Sequence, residues 1–273
     1  MAASPILHLF KKRLCRLRRN LVAPEKLTRQ KERLHQLRVE MKKWRAGLRL
    51  LRIVDPAFPY PEVYEPFKIL FSDAGQLRFW QLQRQILNHS APVPPGFAQR
   101  YRAYIRQRLR EALHHFRKTI RRAGLLMWRD VKKEFRQSCD ACTPDTVQAY
   151  FDSLQKAIAA KAKLHNRRRA SELHELRKLL KEYANNRQLA IKYFKLDPGP
   201  PTGLPTDHAR FDTLLGQWHD QDVACAQLAE DLRTQGWEGE LLNEGKKVWR
   251  GWRRTEREMW GNVVEGLHPG ADS

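Results

Sequence analysis

The sequence predicts an all-α protein of long helices, and three observations carry that reading. Alternation of apolar and polar residues is nearly absent, β-branched residues are sparse, and leucine, arginine, glutamine, glutamate and lysine, all good helix formers, dominate. Chain breakers then punctuate the helical periodicity at Pro24 and at residues 55–61, 91–96, 138–144 and 197–205. Eight helices are expected, near residues 5–20, 25–54, 62–88, 96–136, 144–163, 165–196, 207–235 and 238–266. The first carries Lys11, Lys12, Arg13, Arg16, Arg18 and Arg19 with no acid, as a mitochondrial presequence would. Its apolar positions Ile6, Leu7, Phe10, Leu14 and Leu17 instead read as a bundle helix.

At 273 residues, with 41% hydrophobic and 10% aromatic residues, the chain can build packed cores, which excludes disorder. No apolar run approaches the roughly 18–20 residues that cross a bilayer, so no membrane association is expected. Four cysteines, Cys15, Cys139, Cys142 and Cys225, are too scattered for a disulfide scaffold and fit reduced thiols in a cytoplasm. Cys139 and Cys142 form a C-x-x-C without two further ligands, so no metal is expected and the segment reads as an inert surface loop.

The formal net charge is +22, which calls for a polyanionic partner. The excess is confined to residues 1–138, with 32 basic and 10 acidic residues, whereas residues 139–273 hold 20 of each. One half is therefore expected to grip an anion and the other to complete or support the site.

The halves also resemble each other. Leu34-His35-Gln36-Leu37-Arg38 followed by Lys42 is matched by Leu173-His174-Glu175-Leu176-Arg177 followed by Lys181, the same L-H-x-L-R-x-x-x-K. Gly75-Gln76 and Gly216-Gln217 follow each histidine after 40 and 42 residues. Two markers in one order at nearly the same spacing indicate an internal duplication. Residues 1–138 and 139–273 would each form a four-helix bundle, the two related by pseudo-two-fold symmetry and together making one unit.

At about 100° per residue, Lys31, His35, Arg38, Lys42, Arg45 and Arg49 share an arc of about 80° that contains no carboxylate. Leu34, Leu37, Met41, Trp44, Leu48 and Leu51 fill the neighbouring apolar arc. Like charges at successive turns repel, so the stripe is easier to understand with an anion on it. From His35 to Arg49 it runs about 21 Å, which suits an extended chain of anionic groups. In the second copy His174, Arg177, Lys181 and Lys192 share a face, and Leu173, Leu176, Leu180, Tyr183, Ile191 and Phe194 share the buried one. Each histidine heads its stripe, where it can donate to phosphate and add charge on protonation. Weaker series are His114, Arg117 and Arg121 behind Arg106 and Arg110, and Lys246, Arg250, Arg253 and Arg257.

The repeated motif, its spacing to the segment Leu215-Gly216-Gln217-Trp218-His219-Asp220-Gln221-Asp222-Val223, the eight helices and the length together resemble the CHAD family, over essentially the whole chain. That resemblance implies two pseudo-symmetric four-helix bundles and inorganic polyphosphate as the partner. The polymer would lie along a basic groove lined by histidine, arginine and lysine from both halves. His35, Arg38, Lys42, Arg45, His174, Arg177 and Lys181 match the family's motif positions. It also implies association with polyphosphate granules. The chain departs from the pattern at Ala184 and Asn185, where a further arginine and an aromatic are usual, and at Phe79, where an aspartate is usual. Asp220 and Asp222, two apart on a helix, read as separate partners for nearby cations rather than as a metal pair.

Nothing in the sequence assembles a catalyst, so neither enzymatic activity nor a cofactor is expected. The segment from Gly239 to Lys246 approaches a P-loop but has five residues between its glycines and Lys247 in place of serine or threonine. A helical nucleic-acid-binding protein is the alternative, although the stripe lacks interleaved aromatics for stacking bases. An adaptor for an acidic protein is a third reading.

Overall fold

A computed structural model describes residues 5–21, 31–90, 92–126, 131–163, 170–205 and 207–267. Nine helices and no strand occur among the described residues: α1 (Pro5–Leu21), α2 (Lys31–Val54), α3 (Tyr60–His89), α4 (Pro95–Leu126), α5 (Val131–Asp140), α6 (Pro144–Lys163), α7 (Ala170–Phe194), α8 (His208–Thr234) and α9 (Gly239–Leu267). None is long and apolar enough to cross a membrane. The breakers act where expected. Residues 55–59 separate α2 from α3, and Asp207 caps α8 by accepting the Arg210 amide at 2.9 Å. Gly236 and Gly239 take positive φ on either side of Trp237, turning α8 into α9. The helix expected over 96–136 is instead described as α4 and α5, with residues 127–130 outside the described set. Pro24 and the expected start of the second helix lie outside it too.

The chain packs into two compact units. The first holds residues 1–78, 111–158 and 178–201, and the second residues 79–110, 159–177 and 202–273. Packing therefore divides the chain differently from the repeat, whose halves meet at residue 138.

In the first unit all six apolar positions of α2 are buried, and Trp44 meets Phe10 of α1 edge-on at 5.3 Å and Phe67 of α3 at 5.1 Å. Gly47 lets α1 come close: a Cβ there would lie 2.9 Å from the Phe10 ring. In the second unit Phe97, Tyr101, Tyr104 and Trp237 pack around buried Asp231, whose carboxylate accepts from Tyr101 at 2.9 Å and Tyr104 at 3.0 Å.

Two local expectations are corrected. Cys139 and Cys142 are buried free thiols under the α5–α6 turn and not a surface loop, and burial raises both thiol pKa values, that of Cys142 to about 12. Ile191, expected on the buried arc of α7, is 42% exposed. The reason is rotation. Leu173, Leu176, Leu180 and Tyr183 face the core at one end of α7, Asn186, Leu189 and Ala190 at the other, and the buried arc turns by about 100° between them.

Candidate functional site

Four of the predicted residues come together on α2 against α3 in the first unit. Arg38 Nη1 donates to the Phe71 carbonyl at 3.1 Å, and its guanidinium lies 4.6 Å from the Phe71 ring centre. Arg45 approaches the same ring at 5.3 Å. One phenyl group thus gathers two guanidinium groups, each cation–π contact contributing about 0.5–1 kcal/mol at such partly exposed positions. Gly75 makes room for this arrangement, because a Cβ there would sit 3.0 Å from Arg38 Nη1. That gives a physical reason for a glycine the sequence offered only as a repeat marker. Lys42 is half-buried on the same face, and His35 is exposed at its head. Lys31 opens the helix, but its side chain lies outside the described residues.

The field along this face is positive. The pKa of His35 is held below its usual value, first by partial burial and then by Arg78, with Lys42 and Arg38 adding and Glu32 opposing. Arg78 and Phe71 escaped the sequence reading. A signal existed for Arg78, which stands three residues after Gly75, as His219 stands three after Gly216.

Arg49, at the far end of the stripe, is a bridge. Its Nη1 donates to Glu182 Oε2 of α7 at 2.6 Å, and Glu182 Oε1 accepts from Tyr150 of α6 at 3.1 Å. Asn186 Nδ2 donates to the Ala46 carbonyl at 3.0 Å and to Tyr150 Oη at 2.7 Å. These bonds tie α2 to α7, on which Lys181 is half-buried beside Glu182. Lys192 is exposed further along α7, 5.5 Å over the Tyr193 ring.

The second unit holds the other histidine in a different setting. His174 Nε2 lies 3.3 Å from Asp222 Oδ2, and its ring meets His219 at 4.5 Å and Trp218 at 5.0 Å. Arg253 contacts Asp222 at 3.6 Å and Glu256 at 3.0 Å, while Glu256 also accepts from Trp218 Nε1 at 2.8 Å. Asp222 is therefore the structural partner of cations that its sequence position implied. Arg177 has a buried Nε without a hydrogen-bond acceptor, and Gly216 has nothing within 4 Å of where its Cβ would stand, so it forms no cradle. His114 and Arg121 are exposed on α4, and Arg117 between them also has a buried, unaccepted Nε. No described contact joins those three to the α2 stripe.

Chemically, the α2 face offers guanidinium and ammonium donors plus a histidine that a bound anion would help to protonate. Among the described residues no group of three or more histidine, cysteine or carboxylate side chains is placed to hold a metal ion.

Comparison with known proteins bears on this geometry. A sequence model of the CHAD domain matches residues 12–229. The crystal structure of the CHAD domain from the plant Ricinus communis superposes with a TM-score of 0.70 at 18% identity, covering 95% of this chain and 89% of that one. Curated protein sequences return no match.

Proposed function

This chain belongs to the CHAD domain family, and from that premise we propose that it binds inorganic polyphosphate along the basic face of α2, without catalysis. The observation that carries the proposal is the gathering of Arg38 and Arg45 over the Phe71 ring on the α2 face that also bears Lys42 and His35, whose pKa partial burial and the charges of Arg78, Lys42 and Arg38 hold down against Glu32. A phosphate chain would relieve that repulsion through charge-assisted hydrogen bonds from Arg38, Lys42, Arg45 and His35. Lys181, next to Glu182 in sequence, would add a further cation from the other half of the sequence.

The contacts between α2 and α7 also support a duplication about a two-fold axis. In the register set by His35 and His174, Asn186 corresponds to Gly47 and Glu182 to Lys43. The pairs Ala46–Asn186 and Arg49–Glu182 then run in opposite directions around one crossing point, as equivalent helices related by a two-fold axis would.

The test is a competition titration. Long-chain polyphosphate should displace labelled polyphosphate far better than the same phosphate equivalents of duplex DNA, RNA or an acidic polypeptide. With about six phosphates contacted, log affinity against log salt should fall with a slope of about −4. Equal competition by nucleic acid would leave only generic polyanion binding.

A further inference from the structure

The first unit carries a basic cavity between α1 and α2 whose wall includes His35. It has a volume of about 460 Å³ and is lined by Arg16 and Arg19 of α1 and by His35, Glu40 and Lys43 of α2, with Gln36 and Val39 completing the wall. We propose that this cavity binds a small organic polyphosphate, a compact molecule bearing two or more phosphates on a carbon scaffold. The inference shares His35 with the polyphosphate reading but does not depend on it.

Three observations carry it. First, the cations are gathered around one volume, within the roughly 300–1,000 Å³ range of small-molecule sites, rather than strung along a helix. Arg16 and Arg19, three apart on α1, share a face and meet Lys43 across the cavity. Second, the one carboxylate in the wall offsets only one of the three cations Arg16, Arg19 and Lys43. Glu40 Oε1 stands 3.9 Å from Arg16 Nη1 and 3.8 Å from Lys43 Nζ, beyond hydrogen-bond reach, in contrast to the 2.6 Å of Arg49 and Glu182. Behind the wall Arg13 is 7% exposed and donates to the Lys43 carbonyl at 2.7 Å, adding a buried positive charge that lies in the fields of Glu40 and Arg16. Third, Gln36 presents an amide and Val39 an apolar surface. The amide can meet a phosphate or a hydroxyl, but a bare phosphate polymer has no use for the apolar surface of Val39, whereas a ribose, a base or an inositol ring does.

Calorimetry of the full chain at about 0.15 M salt tests this, with ATP, inositol hexakisphosphate and inorganic tripolyphosphate as probes. One organic probe should bind one-to-one and more tightly than tripolyphosphate, and the choice between nucleotide and inositol identifies the scaffold. Arg16→Gln/Arg19→Gln should weaken that binding about tenfold or more, while Glu40→Gln should strengthen it about threefold, a gain that misfolding cannot mimic. Unchanged affinity in both variants, or binding of tripolyphosphate alone, would overturn the proposal. Arg38→Ala/Lys42→Ala separates the two readings. It should weaken long-chain polyphosphate binding by about tenfold or more and spare the organic probe, and if it spares both, the α2 stripe fails while the cavity stands.

Discussion

His35 in the first unit and His174 in the second head the same motif, yet their neighbours carry opposite signs. His35 lies among Arg78, Lys42 and Arg38, which together with partial burial hold its pKa down. His174 touches Asp222, which also takes Arg253, and Arg253 in turn takes Glu256. Counting from the repeat glycines, Arg78 corresponds to His219 and Gln81 to Asp222, so each exchange adds one positive charge to the first copy relative to the second. On the proposed duplication, a few substitutions would be enough to tune the two copies apart. Around His35 the named charges are mostly positive, with Glu32 opposing, whereas around His174 the cations meet Asp222 and Glu256.

The strongest way to break that contrast is to neutralise each copy in turn. Arg38→Ala/Lys42→Ala/Arg45→Ala should lower polyphosphate affinity by about a hundredfold at physiological salt, since several charge-assisted contacts disappear together. Arg177→Ala/Arg253→Ala should change it by less than about threefold, because Arg253 is already spoken for by Asp222 and Glu256. Equal losses in the two variants, measured by fluorescence anisotropy with labelled polyphosphate, would erase the distinction.

Much of this was legible in the sequence, for physical reasons that differ from element to element. The two faces of α2 could be read because one periodic stripe packs against α1 and α3 along its length, so Leu34 through Leu51 fall where the helical period puts them. The second stripe was harder. The buried face of α7 rotates along the helix, which exposes Ile191. The partner of Arg49 was invisible, because Glu182 is 133 residues away and nothing local announces a bond at that separation. The role of Gly75 needed Arg38 in place. Arg78 was recoverable, since aligning the two repeat glycines sets it opposite His219.

Arg49 sharpens the comparison, since it lies on the open copy's stripe yet behaves as a brace. Glu182→Gln removes the buried charge that Arg49 and Tyr150 satisfy, and should lower unfolding free energy by about 1–2 kcal/mol in urea titration. The figure is at the low end for buried pairs because the Arg49 side chain is 46% exposed and regains water. Polyphosphate affinity should hold or rise slightly as Arg49 is released. A large loss of affinity with stability intact would make Glu182 part of the binding face instead.

A smaller effect is expected from opening the sealed copy. Asp222→Asn takes the negative charge away from His174 and Arg253 and moves that site toward the composition of the first. Polyphosphate affinity should rise about threefold, with a steeper salt dependence by about one contacted phosphate. No gain would mean that the second unit lies outside the binding path whatever its charge.

Protonation gives the finest discrimination, and its sign can be worked out. In the free protein the folded His35 pKa lies below the unfolded value, so the unfolded chain takes up the proton first and acidification from about pH 7 weakens the fold. A bound phosphate chain reverses the local field and raises the pKa. Binding then carries proton uptake, and affinity should climb by about two- to threefold from pH 8 to 6, levelling off once free His35 is itself protonated. His35→Gln should flatten this profile. His174→Gln, measured beside it, is the matching variant of the second copy. Thermal melts supply an independent readout of the same linkage: the polyphosphate-induced rise in Tm should grow between pH 8 and 6 in the wild type and stay constant in His35→Gln. Two histidines contributing equally to that slope would mean that the copies, for all the difference in their neighbours, present one continuous field to the ligand.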